Sequence, residues 1–390
     1  MRSGYNKNYI AAKNVQVLPL LLVVGGVLIF AVNAEEELPP SDSRSAELSH
    51  ADDAAQSSAL KSNKDFVGPE GCVECHQSEY LVWSRTNHAT SAYDILRTSS
   101  NAKLYATNLG IDVDRITDSP RCLACHSTPQ SEAAESTGLV LGVTCESCHD
   151  AAGGESGWLN SHANYGPNGV TRENETAAHR QQRIAHSREA GQNRTDDLYS
   201  LTKRCYECHL IGDEELVVRG GHHPGNAGFE MTNWFDQQVR HNLFLDKHHN
   251  ALASSLWADP LWRPNHQLGK EINHRRLMFV VSMLVDLESS LGNRGRATHA
   301  SFASAAATRI VAAAYRLSEI ADSDTTPELM NAISAIAQLE SILFAPPANE
   351  DSQSFHDAAR LIRDIAMKIS SSDDGQRFFA ADRLLNSHDK

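Results

Sequence analysis

The chain runs to 390 residues, with 41% hydrophobic residues and a formal net charge of -14. It is long enough for two ordinary domains with real cores. Its acidic balance lacks the basic footprint of a nucleic-acid-binding protein, so no nucleic-acid partner is expected.

Arg2, Lys7 and Lys13 precede an uncharged apolar run from Val17 to Val32, and "AVNA" then leads into "EEE". A basic start, an apolar stretch and small residues at Val32 and Ala34 read as a signal peptide over residues 1–34. The run also approaches bilayer length, and the competing reading is a membrane anchor through residues 15–32. Either reading exports the rest of the chain, to a periplasmic or similar location. Residues 35–66 are acidic and rich in Ser and Ala, and read as a flexible linker.

The eight cysteines fall into four copies of C-x-x-C-H: Cys72/Cys75/His76, Cys122/Cys125/His126, Cys145/Cys148/His149 and Cys205/Cys208/His209. Paired thiols followed at once by histidine suit c-type haem attachment. The thiols take the two vinyl groups and the imidazole becomes the proximal iron ligand. Zinc would use the cysteine pairs but has no need of a histidine directly after each. Disulfides would not need the histidines either. Four covalent haems, with no cysteine left over, is the reading. Of 19 histidines only four lie in the motifs, whereas there are six methionines, so His/His ligation is the expected theme.

After the first motif, "CHQSEYLVWSRTNHATSAYDIL" holds no Gly or Pro and reads as one helix. On a continuous helix His76 and His88 stand about 18 Å apart, too far to clamp one haem. His88 therefore serves a different haem or lies on the surface. His162 follows the third motif beyond "AAGGES", which breaks any helix, so distance excludes little there. Trp158 offers it an aromatic neighbour able to pack on a porphyrin edge. "ENETAAHRQQRIAHSREAG" reads as a solvated helix, with His179 and His186 on its surface.

Beyond the fourth motif, "GGHHPGNAGFEMTNWFDQQVRHN" holds His222, His223 and His241. Gly220, Gly221 and Pro224 let the backbone approach a bulky ligand. His222 ranks above His223 as a ligand, with His241 next and His248 and His249 as lesser candidates. Surface histidines are the alternative for each.

Residues 251–390 hold no cysteine. "RRLMFVVSMLVDLESSL" places Leu277, Val281, Leu284 and Leu291 on one helical face. "SFASAAATRIVAAAYRLSEI", "PELMNAISAIAQLESIL" and "FHDAARLIRDIAMKI" read as three more amphipathic helices. The expected fold is mostly α: a multihaem domain with little regular structure over 67–250, then a self-supporting antiparallel bundle over 251–390. The bundle is expected to be dispensable for haem binding and available for docking or oligomer contacts.

"GCVECHQSEYLVWSRTNHATSAY", "CLACHS", "GVTCESCHDAAG" with its following His162, and "CYECHL" resemble the tetrahaem cytochrome c-554 family in motif number, order and approximate spacing. The resemblance covers residues 68–250. It implies overlapping and edge-on haem pairs, as in multihaem hydroxylamine oxidoreductases and nitrite reductases. It implies that His88 ligates the fourth haem and His162 the first. A third distal histidine is implied downstream of the fourth motif, and the second haem is implied to be open. The expected function is electron transfer with redox partner proteins. The alternative is an oxidoreductase acting on a small nitrogen or sulfur species at one open iron. No carboxylate, Lys or Tyr constellation beside a motif argues for acid–base chemistry, which favours the carrier.

Overall fold

The computed structural model describes residues 66–128, 142–171, 174–225, 229–232 and 271–385. Among them the chain is helical, and its one extended pairing is a single antiparallel bridge between Leu210 and Gly225. No helix among the described residues is long and apolar enough to cross a membrane. The leader over 1–34, nearly all of the linker, and His241, His248 and His249 lie outside the described residues.

The N-terminal half is a string of short helices: α1 Glu70–Val73, α2 Gln77–Trp83, α3 Asn87–Thr90, α4 Asp94–Thr98, α5 Ser100–Leu109, α6 Pro120–His126, α7 Cys145–His149 and α8 Trp158–His162. Two longer helices follow, α9 Ala177–Glu189 and α10 Leu198–His209, then α11 Glu214–Val218. The single helix expected around His88 is broken into α2, α3 and α4. The cause lies at Ser84 and Thr86, whose hydroxyls donate to the carbonyls of Leu81 (3.2 Å) and Trp83 (2.8 Å). Such side-chain bonds compete with the helix ladder. Thr86 turns extended, with φ -81° and ψ 162°, and starts the turn that carries His88.

That turn is tied to the segment entering the third motif. Val143 N–H donates to the His88 carbonyl (3.0 Å), and Trp83 Nε1–H donates to the Val143 carbonyl (2.8 Å). A Cβ on Gly142 would stand 2.7 Å from the His88 carbonyl oxygen. Glycine is therefore what allows the two segments to approach.

The C-terminal half is built differently. It comprises α12 Glu271–Arg296, α13 Ala300–Ser318, α14 Pro327–Ala337, α15 Glu340–Leu343, α16 Asn349–Ser372 and α17 Asp382–Leu385. The expectation of one apolar face on α12 is corrected: every residue from Leu277 to Leu287 is buried. The uninterrupted "LMFVVSMLV" makes it a central helix, with α10, α13 and α16 packed around it. Two of its buried charges are matched. Arg294, fully buried, donates to the carbonyls of Leu343, Ile342 and Ala345 at 2.8 Å each. Asp286 accepts from Arg309 Nε at 2.6 Å.

The two halves share a core. Leu198, Leu201, Tyr206 and Leu210, on or just after the helix carrying the fourth motif, join the bundle's Leu277, Leu284 and Ile369 in one buried cluster. Tyr206 also hydrogen-bonds Ser282 (2.9 Å), and Lys203 pairs with Glu288 (2.7 Å). Part of α10's apolar surface is thus covered by α12, which alters what removal of the bundle should do. A second, smaller cluster of Leu96, Ala106 and Ile116 receives Cys122 and Leu123 of the second motif.

Candidate haem centre

Each C-x-x-C-H motif lies in a short helix or at a helix end. That projects the two cysteines, three positions apart, from one face, with the histidine beside them. All eight cysteines are free thiols. The motifs meet in a definite order. The Cys72 and Cys145 thiols interact electrostatically, and Glu146 of the third motif accepts from Gly68 N (2.8 Å), joining the first motif to the third. Cys148 and Cys205 are near neighbours, both buried enough to push their thiols up, Cys148 to about 11. The Cys208 thiol donates to the Ala124 carbonyl (3.9 Å), joining the fourth motif to the second. The spatial sequence is therefore first, third, fourth, second.

Cys75 differs from the other attachment cysteines. It is exposed, whereas the other seven cysteines are half-buried. The reason is local. Helix α1 is a single turn with no buried residue, and Cys75 follows its C-terminal end, where its N–H donates to the Cys72 carbonyl (3.2 Å). Its partner Cys72 faces the third motif, so Cys75 is left on the solvent side of the pair. The C-x-x-C-H spacing still sets it beside Cys72, and it raises the proton affinity of that thiol. The first site is thus enclosed at Cys72 and open to solvent at Cys75.

The histidines pair across this series. The His76 and His162 ring centroids lie 5.9 Å apart with planes at 27°, and those of His88 and His209 lie 5.9 Å apart at 62°. An imidazole nitrogen sits about 2 Å from a bound metal, so rings facing each other across one iron hold their centroids about 6 Å apart. Both pairs match that spacing. Each joins a motif histidine to a histidine from a distant segment, and the residues fit a haem held from both faces. His88 is therefore opposite the fourth motif's histidine and His162 opposite the first's. His162 does not face His149.

Five of the ligand candidates are held towards the neutral form that metal binding requires. Burial lowers the proton affinity of His88, His126 and His149. It takes His162 down to about 3, helped by His76 and Arg194, and His209 to about 4, helped by His88. Second contacts orient the rings. His126 Nδ1 meets the Ala92 carbonyl at 2.7 Å, and His149 Nδ1 meets the Asn193 carbonyl at 2.8 Å. With Nδ1–H donated there, Nε2 is left as the ligand nitrogen. The ring of His209 stacks on Phe229 at 4.2 Å, nearly parallel.

Several positioning groups carry no motif. Glu146, inside the third motif, is buried and accepts from Val67 N, Gly68 N and Ala152 N at 3.1, 2.8 and 2.8 Å. It straps the third motif to the segment before the first. Burial raises its proton affinity, and the three amides oppose that rise. Arg183 of α9 donates to the His162 carbonyl (2.7 Å) and forks onto Glu175 (2.7 and 2.8 Å). The expectation of a merely solvated α9 is thus corrected: its Arg183 face supports His162. Trp158 is buried against the His162 ring, edge to face at 5.5 Å, and its Nε1–H donates to the Asp150 carbonyl (2.8 Å). Asp150 itself has φ 65° and ψ 162°, a region normally left to glycine, and its carboxylate pairs with Arg204. Such a conformation persists only where its surroundings over-determine it. Here it reverses the chain directly after His149.

His222 and His223 lie within electrostatic reach of His126. His222 is half-buried against Tyr105, ring centroids 5.3 Å apart, whereas His223 is exposed.

The comparisons agree with this geometry. Residues 71–150 match the family model described as cytochrome c554 and c-prime. A short stretch is 49% identical over 37 residues to the dissimilatory sulfite reductase MccA of Wolinella succinogenes. That stretch is 10% of this chain and 5% of the length of that protein. No solved structure matches. The family implies covalently bound haem c and electron transfer, in keeping with free paired thiols and facing imidazoles. Over residues 71–150, this chain is similar to the cytochrome c554 and c-prime family of c-type cytochromes.

Proposed function

We propose that the chain is an exported tetrahaem electron-transfer protein working between redox partner proteins. Bound haem supplies one-electron chemistry at its iron. The polypeptide attaches the haems through Cys72/Cys75, Cys122/Cys125, Cys145/Cys148 and Cys205/Cys208, with His76, His126, His149 and His209 as proximal ligands. His162 and His88 close the first and fourth sites. The observation that carries this reading is the contact series from the first motif through the third and fourth to the second. Adjoining attachment sites would set neighbouring haems close to one another, as one-electron transfer between them requires. The third site's distal ligand is sought among His241, His248 and His249.

The test is the mass of the denatured protein after acid–acetone extraction. It should retain four haems per chain, and loss of colour on extraction would defeat the reading. In the oxidised protein His88→Ala should convert one haem per chain to high spin without lowering haem content. His162→Ala should convert a different one.

The local identity to a dissimilatory sulfite reductase supports a second reading, an oxidoreductase acting on a small sulfur or nitrogen species at one open iron. Turnover of sulfite or nitrite by the intact holoprotein, supplied with a reduced dye, would favour it over the carrier.

A further inference from the structure

We propose that His222, through Nε2, is the sixth ligand at the second motif and closes the site carried by Cys122, Cys125 and His126. The inference rests on the tetrahaem reading and departs from the open second haem that the family resemblance implies. Proximity comes first. Arg121, next to Cys122, pairs with Asp213 and Glu215 at 2.8 Å each, which places α11 and the loop after it beside the second motif.

Preorganisation is the second argument. Helix α5 serves both sides of this site. Its Ala106 lies in the small cluster that receives Cys122 and Leu123, and its Tyr105 lies against the His222 ring. The same helix anchors the loop that carries His222. Asn108 Nδ2 donates to the Gly220 carbonyl (3.0 Å), and Arg219 Nε donates to the Asn108 carbonyl (3.1 Å). His222 N–H closes the loop on the Leu216 carbonyl (3.1 Å). Gly221, at φ +84°, makes the left-handed turn that presents the next residue. Far from being a swinging surface side chain, His222 is fixed by backbone, ring face and loop ends.

The third argument is the tautomer, and it separates His222 from its neighbour. His222 Nδ1 lies 2.8 Å from the His223 carbonyl, which can only accept, so Nδ1 carries the proton and Nε2 keeps its lone pair. This is the arrangement already seen at His126 and His149, whose Nδ1 atoms meet backbone carbonyls. His223 is the reverse. Its Nδ1 accepts from Gly225 N–H at 3.3 Å, which puts the neutral ring's proton on Nε2, the nitrogen that would have to bind.

The experiment uses the full-length holoprotein, His222→Ala and His223→Ala, with haem content by mass as the first reading. Fewer than four haems in the unmutated protein counts against the tetrahaem reading, not against this assignment. Carbon monoxide is then titrated into each reduced protein. His222→Ala should bind one more carbon monoxide per chain than the unmutated protein, and its oxidised form should gain one high-spin haem. Added imidazole should restore the low-spin spectrum, which a folding defect would not permit. His223→Ala should bind no more than the unmutated protein. Equal carbon monoxide binding by His222→Ala and the unmutated protein overturns the assignment, as does a gain seen only in His223→Ala.

Discussion

The haem-bearing half and the bundle solve the same problem with opposite means. From α1 to α8 no helix exceeds the ten residues of α5, and buried side chains are scattered. In the bundle α12 runs 26 residues and α16 runs 24, and apolar side chains fill the space between them. A porphyrin brings its own apolar bulk, so the chain around it needs ligands and anchors rather than long apolar faces. It gets them from polar contacts over long separations, such as Glu146 on Val67 and Gly68, or Arg183 on His162. The bundle has no such guest and must bury its own side chains, each worth roughly 1.5–3 kcal/mol. One half is specified by points, the other by surfaces.

The severest way to break this contrast is to remove the bundle. A chain ending near residue 250 would expose Leu198, Leu201 and Tyr206 and take away the Arg309 guanidinium that donates to the Phe229 carbonyl (3.1 Å) behind His209. We expect it to aggregate or to lose low-spin character at the fourth site. The check is haem content and spin state of the soluble fraction. A soluble, fully low-spin product would show that the haem half stands alone, as the sequence first suggests.

A milder change should separate the halves. Leu284→Ala, at the centre of α12, should cost about 2–5 kcal/mol, the usual range for a buried leucine. It should lower the thermal midpoint and leave the haem spectra of the folded protein unaltered. A spectral change without loss of stability would mean that the bundle core tunes the sites directly.

The smallest expected effect concerns Glu175, whose carboxyl the Arg183 guanidinium holds at about 2, below the ordinary 4.5. A lowered value in the fold means that the ionised form stabilises. The contribution is complete above about pH 4.5 and is lost as pH falls towards 2. Glu175→Gln should cost about 1–3 kcal/mol at pH 7, the range for losing charge-assisted hydrogen bonds. It should flatten the acid limb of the stability profile between those two values. An unaltered acid limb would show that Arg183 finds another partner.

What was legible in the sequence follows the same division. The C-x-x-C-H motifs declare their chemistry within five residues, though not that Cys75 lies open to solvent while Cys72 faces a neighbouring motif. His88 and His162 were legible through the order of those motifs, by resemblance to a family. The continuous helix expected around His88 does not form, because the hydroxyl of Thr86 outweighs helix propensity there. Glu146, Arg183 and Asn193 were not legible. Each acts on a partner fixed only by the tertiary fold, and nothing in "CESC" or "RQQRIAH" distinguishes a strap from a solvated charge. In the bundle periodicity found the helices, but the uninterrupted apolar run in α12 outweighed it as a sign of burial on every side.

The crossed pairing of histidines has a consequence for how the protein comes into being. His88 precedes the second motif, yet its partner His209 arrives about 120 residues later, after every other motif. A chain is made from its N-terminus, and early segments ordinarily settle first. Here the early segment cannot: its histidine has no counterpart until the fourth motif has been synthesised. Contacts of such separation are slow to form because loop closure must precede any gain. The nascent chain must therefore stay open around His88 until the fourth motif, just past the middle of the chain, has been made. The pairing of His76 with His162 can form earlier, and that of His88 with His209 closes after it.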